Sequence, residues 1–341
     1  MAAKPSFSEV VTATLLDERL GSPVDDGAGI DRDGGVAHAS IGALVHGTLP
    51  SPNFLSATAK THGAFERDEA GTLRVKRTES VPFTLFLPRT GMSKPLPVVI
   101  FQHGLRRERS DALAVANLFA RIGVAVVSID APFHGLRAKG TDTTNRFTGA
   151  PTPDGFGDSV DDFEGIDDES GALMPQHPFY LRDAMRQGVV DLMGVVRMIE
   201  SGELSALLAA DAQLARYQTL LTKRLGFIGL DLGGQLGTML ATLEPSVDAA
   251  VFAFSGGGLL EEWTWSPAKE ALFDRWKQRW GRTGAHEDEP MWTWPELAVA
   301  QALLDRADPL AHAPSLRRTS TQVLMLMADE DEVVPNRTTE T

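Results

Sequence analysis

A chain of 341 residues, 43% of them apolar, is long enough to bury a substantial core as one large α/β domain or two smaller ones. With 46 acidic against 32 basic residues its formal charge is −14, which argues against nucleic acid, since binding a polyanion needs a basic face that releases counterions. The lack of cysteine removes disulfides, thiolate metal sites and a cysteine nucleophile.

The N-terminus, MAAKPSFSEVV, has no apolar leader core, and no apolar run reaches the ~20 residues of a membrane span, so the chain as written reads as cytoplasmic with no integral membrane segment. Residues 1–80 are rich in Gly, Ser, Thr and Asp. Their short apolar alternations, in ASIGALVHGTL and TLRVKRTESVPFTLFLP, suit hairpins rather than helices, and they read as a β-rich extension leading into the main sheet. Residues 81–341 read as the main domain. LPVVIFQHG is a continuous apolar run of the kind a strand buried on both faces requires. Ser110 is placed to cap a helix with Ala112, Val115, Ala116 and Phe119 on one stripe, and GVAVVSID is the next strand.

Residues 141–176 form a long loop rich in Gly, Pro and acid. Loops of this length serve as lids or stay mobile; its acidic run lacks EF-hand spacing, and a solvated acidic loop is the expectation rather than a calcium site. Leu181, Met185, Val189, Leu192, Val196 and Ile199 then share one face, which predicts a long amphipathic helix over residues 180–200. LGFIGL, DAAVFAF and TQVLMLMA are further strands. Strands alternating with helices imply a mostly parallel sheet covered on both faces. All six tryptophans, Trp263, Trp265, Trp276, Trp280, Trp292 and Trp294, fall in residues 259–295. This segment reads either as a cap lining an apolar substrate pocket, with Trp263, Trp265, Trp292 and Trp294 as its binding residues, or as a satellite core. No dinucleotide fingerprint or Walker loop occurs, and no cofactor or metal is expected.

GFIGLDLGGQLGTML reads as a strand, a sharp glycine-flanked turn and a helix, the setting of a nucleophile elbow. Gly229, Gly233 and Gly234 permit the tight turn, and the residue at its apex is Asp231. Acyl transfer needs backbone donors for a developing oxyanion; the candidates are Leu232, which follows the apex, and Leu105 in FQHGL after an earlier strand. His103 beside that turn reads as structural rather than as the base. Asp331 in MLMADEDEVVP stands at a late strand end where the acid of a triad belongs, with Asp329 as the alternative.

Together, VVIFQHGLRRERSDALAVANLFARIGVAVVSIDAPFHG, FYLRDAMRQGVVDLMGVVRMIE and GFIGLDLGGQLGTML resemble the bacterial extracellular and virulence-factor lipases of the α/β-hydrolase superfamily. The resemblance implies an α/β-hydrolase fold, hydrolysis of a small apolar carboxylic ester, export, lipid surface contact through the cap, a serine where Asp231 stands, an acid at Asp331 and a histidine beyond it. The eight histidines, His38, His46, His62, His103, His134, His177, His286 and His312, all precede Asp331. Compared with the family pattern the chain therefore reads as truncated after Asp331, with His286 and His312 as remote substitutes for the base. Three readings of Asp231 stand: an ester hydrolase inactive for want of its serine, an aspartate-nucleophile hydrolase of the haloalkane dehalogenase or epoxide hydrolase type, or a non-catalytic protein that binds an apolar ligand.

Overall fold

The computed structural model describes residues 4–21, 36–55, 65–90, 94–137, 143–144, 151–152, 177–266, 274, 277 and 294–340. Strands β1 (Ser6–Thr12), β2 (Ile41–Asn53), β3 (Arg77–Pro88), β4 (Val98–Gln102), β5 (Ala125–Ile129), β6 (Leu225–Leu230), β7 (Val247–Ala253) and β8 (Gln322–Leu326) form one sheet in the order β1-β2-β3-β5-β4-β6-β7-β8. The first three and β5 pair antiparallel in turn, whereas β5, β4, β6, β7 and β8 run parallel.

The central strands form where β-branched and aromatic residues suit a pleated surface covered on both sides. Val98 and Ile100 enter one apolar cluster while Val99 and Phe101 enter the other, as a side-chain period of two requires. One face is covered by α1 (Ala13–Leu20) and α2 (Leu113–Arg121), which bring Leu16, Leu113, Ala116 and Ala120 against Leu44, Phe86 and Phe101. The other lies under α3 (His177–Glu200) and α5 (Leu232–Leu243), with α4 (Glu203–Ala210) beside them. The predicted stripe of α3 is buried at all six positions.

In residues 1–80, strands β1, β2 and β3 continue the main sheet, and β3 runs through residue 80. The two alternations that suit hairpins pair antiparallel as β2 and β3, while α1, outside them, turns directly off β1, with the Thr12 hydroxyl accepting from Leu15 N–H. Eight residues are too few to display a repeating apolar stripe, and a single buried side chain, Leu16, anchors the helix. Ser110 does not cap α2. A 3-10 turn, Arg109–Ala112, leads into that helix, and the Ser110 hydroxyl donates to Glu108 Oε1 at 2.6 Å.

Of residues 141–176, the described part is a short antiparallel pairing of Thr143–Thr144 with Pro151–Thr152; the rest of the acidic loop lies outside the described residues. The segment 259–295 begins as α6 (Leu259–Trp265) and ends where Trp294 precedes α7 (Pro295–Leu304). Between these, the described residues are Ser266, Asp274 and Lys277. Helices α8 (Pro309–Leu316) and α9 (Asn336–Glu340) flank β8 in sequence.

Candidate active site

The C-terminal ends of the five parallel strands share one edge of the sheet, and the strained backbone of the molecule collects there. Among the described residues the non-glycine positions with positive φ are Arg106 (61°), Phe133 (62°), Asp231 (51°), Phe254 (55°) and Glu330 (52°). They follow β4, β5, β6, β7 and β8 in turn, each shortly after its strand ends. Such a conformation costs an L-residue roughly 1–3 kcal/mol and persists only where its surroundings enforce it.

At β6 the enforcement is steric. A side chain at Gly229 would drive its Cβ into Gly233 O, one at Gly233 would run into Gln102 O, and one at Gly234 would meet Ser255 Oγ at 2.5 Å. The three elbow glycines are thus explained by close approach of neighbouring backbone and side chains. Asp231 (φ 51°, ψ −118°) is the N-cap residue of α5; its N–H donates to Ala253 O at 2.8 Å and its carbonyl accepts from Gly234 N and Gln235 N. Its half-buried carboxylate lies across the exit of β4, where Oδ2 accepts the Leu105 N–H at 2.8 Å. A Cβ at Gly104 would come to 3.0 Å from that oxygen, so a side chain there would crowd the contact. Leu232 is the first residue of α5, and its N–H belongs to the first turn, where donors have no i−4 carbonyl and the helix dipole favours negative charge.

The other residues singled out from sequence are dispersed along or away from this edge. Asp331 lies beyond β8, and its Oδ1 accepts Val333 N and Val334 N at 2.9 Å each, while its own N–H donates to Asn336 Oδ1. Asp329 is exposed. Trp265 and Trp294 wall a cavity of about 760 Å³ together with Leu260, Leu297, Leu310 and Arg337; Asp231, Leu105 and Leu232 are not among its lining residues. Trp265 is exposed, with the Arg337 guanidinium 4.3 Å from its ring centre, and Trp294 is buried. The side chain of Trp263, and the whole of Trp276, Trp280 and Trp292, lie outside the described residues, as do His62 and His286. His312 sits on α8 with Nε2 3.3 Å from Arg306 O.

His103 and His134 are fully buried, their ring centres 5.2 Å apart. His103 Nδ1–H donates to Gly104 O at 2.7 Å and its Nε2 accepts Ala131 N–H at 3.0 Å, which fixes a neutral tautomer. His134 donates through Nδ1 to Pro132 O. Burial holds the His103 imidazole below its ordinary value, and burial together with the neighbouring His103 holds His134 down to about 3. An unfolded chain takes up these protons near pH 6.5, whereas the folded chain takes up that of His134 only near 3. Their stabilisation is therefore complete above pH 6.5 and is lost as pH falls, by up to about 1.4 kcal/mol per pH unit for each group. Urea unfolding at pH 7 and pH 5 measures that loss. The variant His134→Asn should show a smaller drop than the wild-type chain, and an equal drop would exclude His134 as a source.

Sequence reasoning missed a buried ionic network beside the site. Arg137 donates to Asp191 Oδ2 at 2.8 Å, to Glu79 Oε1 at 2.9 Å and to the carbonyl of Asp130 at 2.9 Å. Asp191 also accepts from Ser51 Oγ at 2.6 Å and from Gln187 Nε2 at 2.9 Å. The available signal was Gln187 and Asp191 one turn apart within the apolar stretch of α3.

Five parallel strands extended by antiparallel ones at one edge, with a strained strand–turn–helix elbow on a central strand, define an α/β-hydrolase fold. Neither family models nor curated proteins match the chain. Solved structures similar to it include the acetyl xylan esterase of Paenibacillus sp. R4, at 13% identity and TM-score 0.42, covering 85% of this chain and 78% of that one. Acetyl xylan esterase 1 of Thermoanaerobacterium sp. JW/SL YS485 matches at 15% identity and TM-score 0.40, covering 86% and 79%. A puromycin-hydrolyzing peptidase of Mycobacterium tuberculosis matches at 14% identity and TM-score 0.42 over 87% of this chain, which spans only 39% of that protein.

Proposed function

We propose that this chain is a hydrolase of the ester-hydrolase type, acting on a small apolar ester, in which Asp231 occupies the nucleophile position and closes the site to esters. The observation that carries this reading is the 2.8 Å hydrogen bond from Leu105 N–H to the Asp231 carboxylate. In an ester hydrolase that N–H and the N–H of Leu232 would serve the oxyanion of the tetrahedral intermediate. Here a negative oxygen already takes one of them. A carboxylate attacking an ester would also give only a mixed anhydride. Asp331 is the proposed acid of the triad, and Trp265 and Trp294 are the proposed apolar wall for the substrate.

The same geometry favours a second reading. A carboxylate anchored by one oxygen on a backbone N–H is oriented for nucleophilic displacement: the other oxygen bonds to an sp³ carbon, and either the carbon–halogen bond breaks and halide leaves, or an epoxide carbon–oxygen bond opens to an alkoxide that stays on the adduct and takes a proton from water. The resulting alkyl ester of Asp231 then needs water to release it. Intact-protein mass spectrometry after incubation with 1-bromobutane and, separately, with 1,2-epoxybutane separates the two readings. The ester-hydrolase reading expects an unmodified mass; an alkyl adduct mapped to Asp231 would replace it with the aspartate-nucleophile reading.

A further inference from the structure

The loop that carries Leu105 is tied at both ends to the short exit of β5, and we propose that Asp130 is the positioning residue that sets where the Leu105 N–H points. Asp130 is wholly buried one residue past β5. Its Oδ1 accepts the backbone N–H of Arg109 at 2.8 Å, and its Oδ2 accepts Arg109 Nη1 at 2.5 Å and the backbone N–H of Leu136 at 3.0 Å. One residue on, Ala131 N–H donates to His103 Nε2 at 3.0 Å. The loop 103–109 is thereby pinned at His103 and again at Arg109, and Leu105 lies between the two pins with its N–H on Asp231. Three strand exits, those of β4, β5 and β6, are joined at this point. Gly135 belongs to the same device: its φ of +52° and a would-be Cβ driven into Asp130 Cγ leave no room for a side chain against the carboxylate.

A carboxylate suits this role because it only accepts, and every group facing its oxygens here is a donor. Asparagine would keep one accepting oxygen and turn an NH2 toward N–H groups, so one loop must let go. The Arg109 side chain adds charge to the contact, but the backbone N–H is what fixes the loop. The catalytic meaning of the clamp rests on the ester-hydrolase reading; the clamp itself does not.

Amide hydrogen exchange at Leu105, read by NMR in the full chain with Asp231 in place, tests the proposal without any substrate. Asp130→Asn is expected to speed Leu105 exchange roughly tenfold or more, while Phe227 in β6 keeps its protection. Arg109→Pro should do the same: it deletes the N–H at the first position of a helical turn, where proline is accommodated, and leaves Asp130 intact, so it decides the matter if Asp130→Asn fails to fold. Arg109→Lys, which keeps the backbone N–H, should stay within about threefold of the wild-type chain. In the Asp231→Ser background, Asp130→Asn should lower the saturating rate of fluorophosphonate labelling without shifting its half-saturation. Unchanged Leu105 exchange in folded Asp130→Asn or Arg109→Pro overturns the clamp. Failure of the introduced serine to label in both backgrounds, with and without added imidazole, overturns the ester-hydrolase reading and leaves the exchange result to stand by itself.

Discussion

Asp231→Ser is expected to turn a chain inert to fluorophosphonates into one that takes a single phosphonyl group on the introduced hydroxyl. The elbow fits serine as well as aspartate, because its strained φ of 51° is enforced by Gly229, Gly233 and Gly234 rather than by the side chain at the apex. Removing the carboxylate releases the Leu105 N–H for the phosphoryl oxygen of the probe, and the first turn of α5 contributes its dipole at the same place. In the labelling step the introduced serine Oγ bonds to phosphorus, fluoride leaves and the hydroxyl proton must pass to a base. His103 is committed to Gly104 and Ala131, so we expect imidazole added to the buffer to raise the labelling rate. Loss of the nucleophile from an intact triad costs on the order of a million-fold in rate, while donors and binding alone retain about 10³–10⁴-fold over water. Hydrolysis of a short p-nitrophenyl ester should therefore rise from background in the serine variant, and rise again with imidazole. A folded Asp231→Ser chain that stays unlabelled with and without imidazole would falsify the ester-hydrolase assignment.

The largest expected loss of stability comes from Asp191→Ala, at about 3–5 kcal/mol. Asp191 is fully buried, and the Arg137 guanidinium that donates to it is only 3% exposed. Burial works against the charge on Arg137, yet Asp191 and Glu79 together hold it protonated more firmly than in water. Deleting Asp191 leaves that cation with Glu79 and one backbone carbonyl, and strips acceptors from Ser51 and Gln187. Desolvation is then no longer offset by the contact that justified it. Urea unfolding at pH 7 reads the difference, and a loss below about 1 kcal/mol would mean that water or Glu79 replaces the partner. The same substitution should disturb the site, because Arg137 Nη1 bonds both Asp191 and the carbonyl of Asp130.

How much was legible in advance depended on how local the cause is. Strand β4 and helix α3 were readable because their burial pattern is written in consecutive residues: Val98 to Phe101 is apolar on both faces, and Leu181 to Ile199 repeats at helical spacing. The elbow was readable because glycine at Gly229, Gly233 and Gly234 answers a steric demand within one turn. Short helix α1 was not, since one buried leucine makes no period. The tryptophans of residues 259–295 gathered in sequence, but the cavity lined by Trp265 and Trp294 does not have Asp231 among its lining residues.

The sequence by itself determined the class of fold, the position of the turn and the identity of its apex, because backbone strain and hydrophobic periodicity act over a few residues and leave local marks. Only the tertiary structure decided that the Asp231 carboxylate takes the Leu105 N–H, that Asp130 ties loop 103–109 to β5, and that Arg137 joins Glu79 to Asp191. Those pairings join residues 21 to 126 positions apart. A charged residue's partner across such distances is set by which strands lie side by side and by the cost of burying a charge alone, and neither is expressed in the residues adjacent to it.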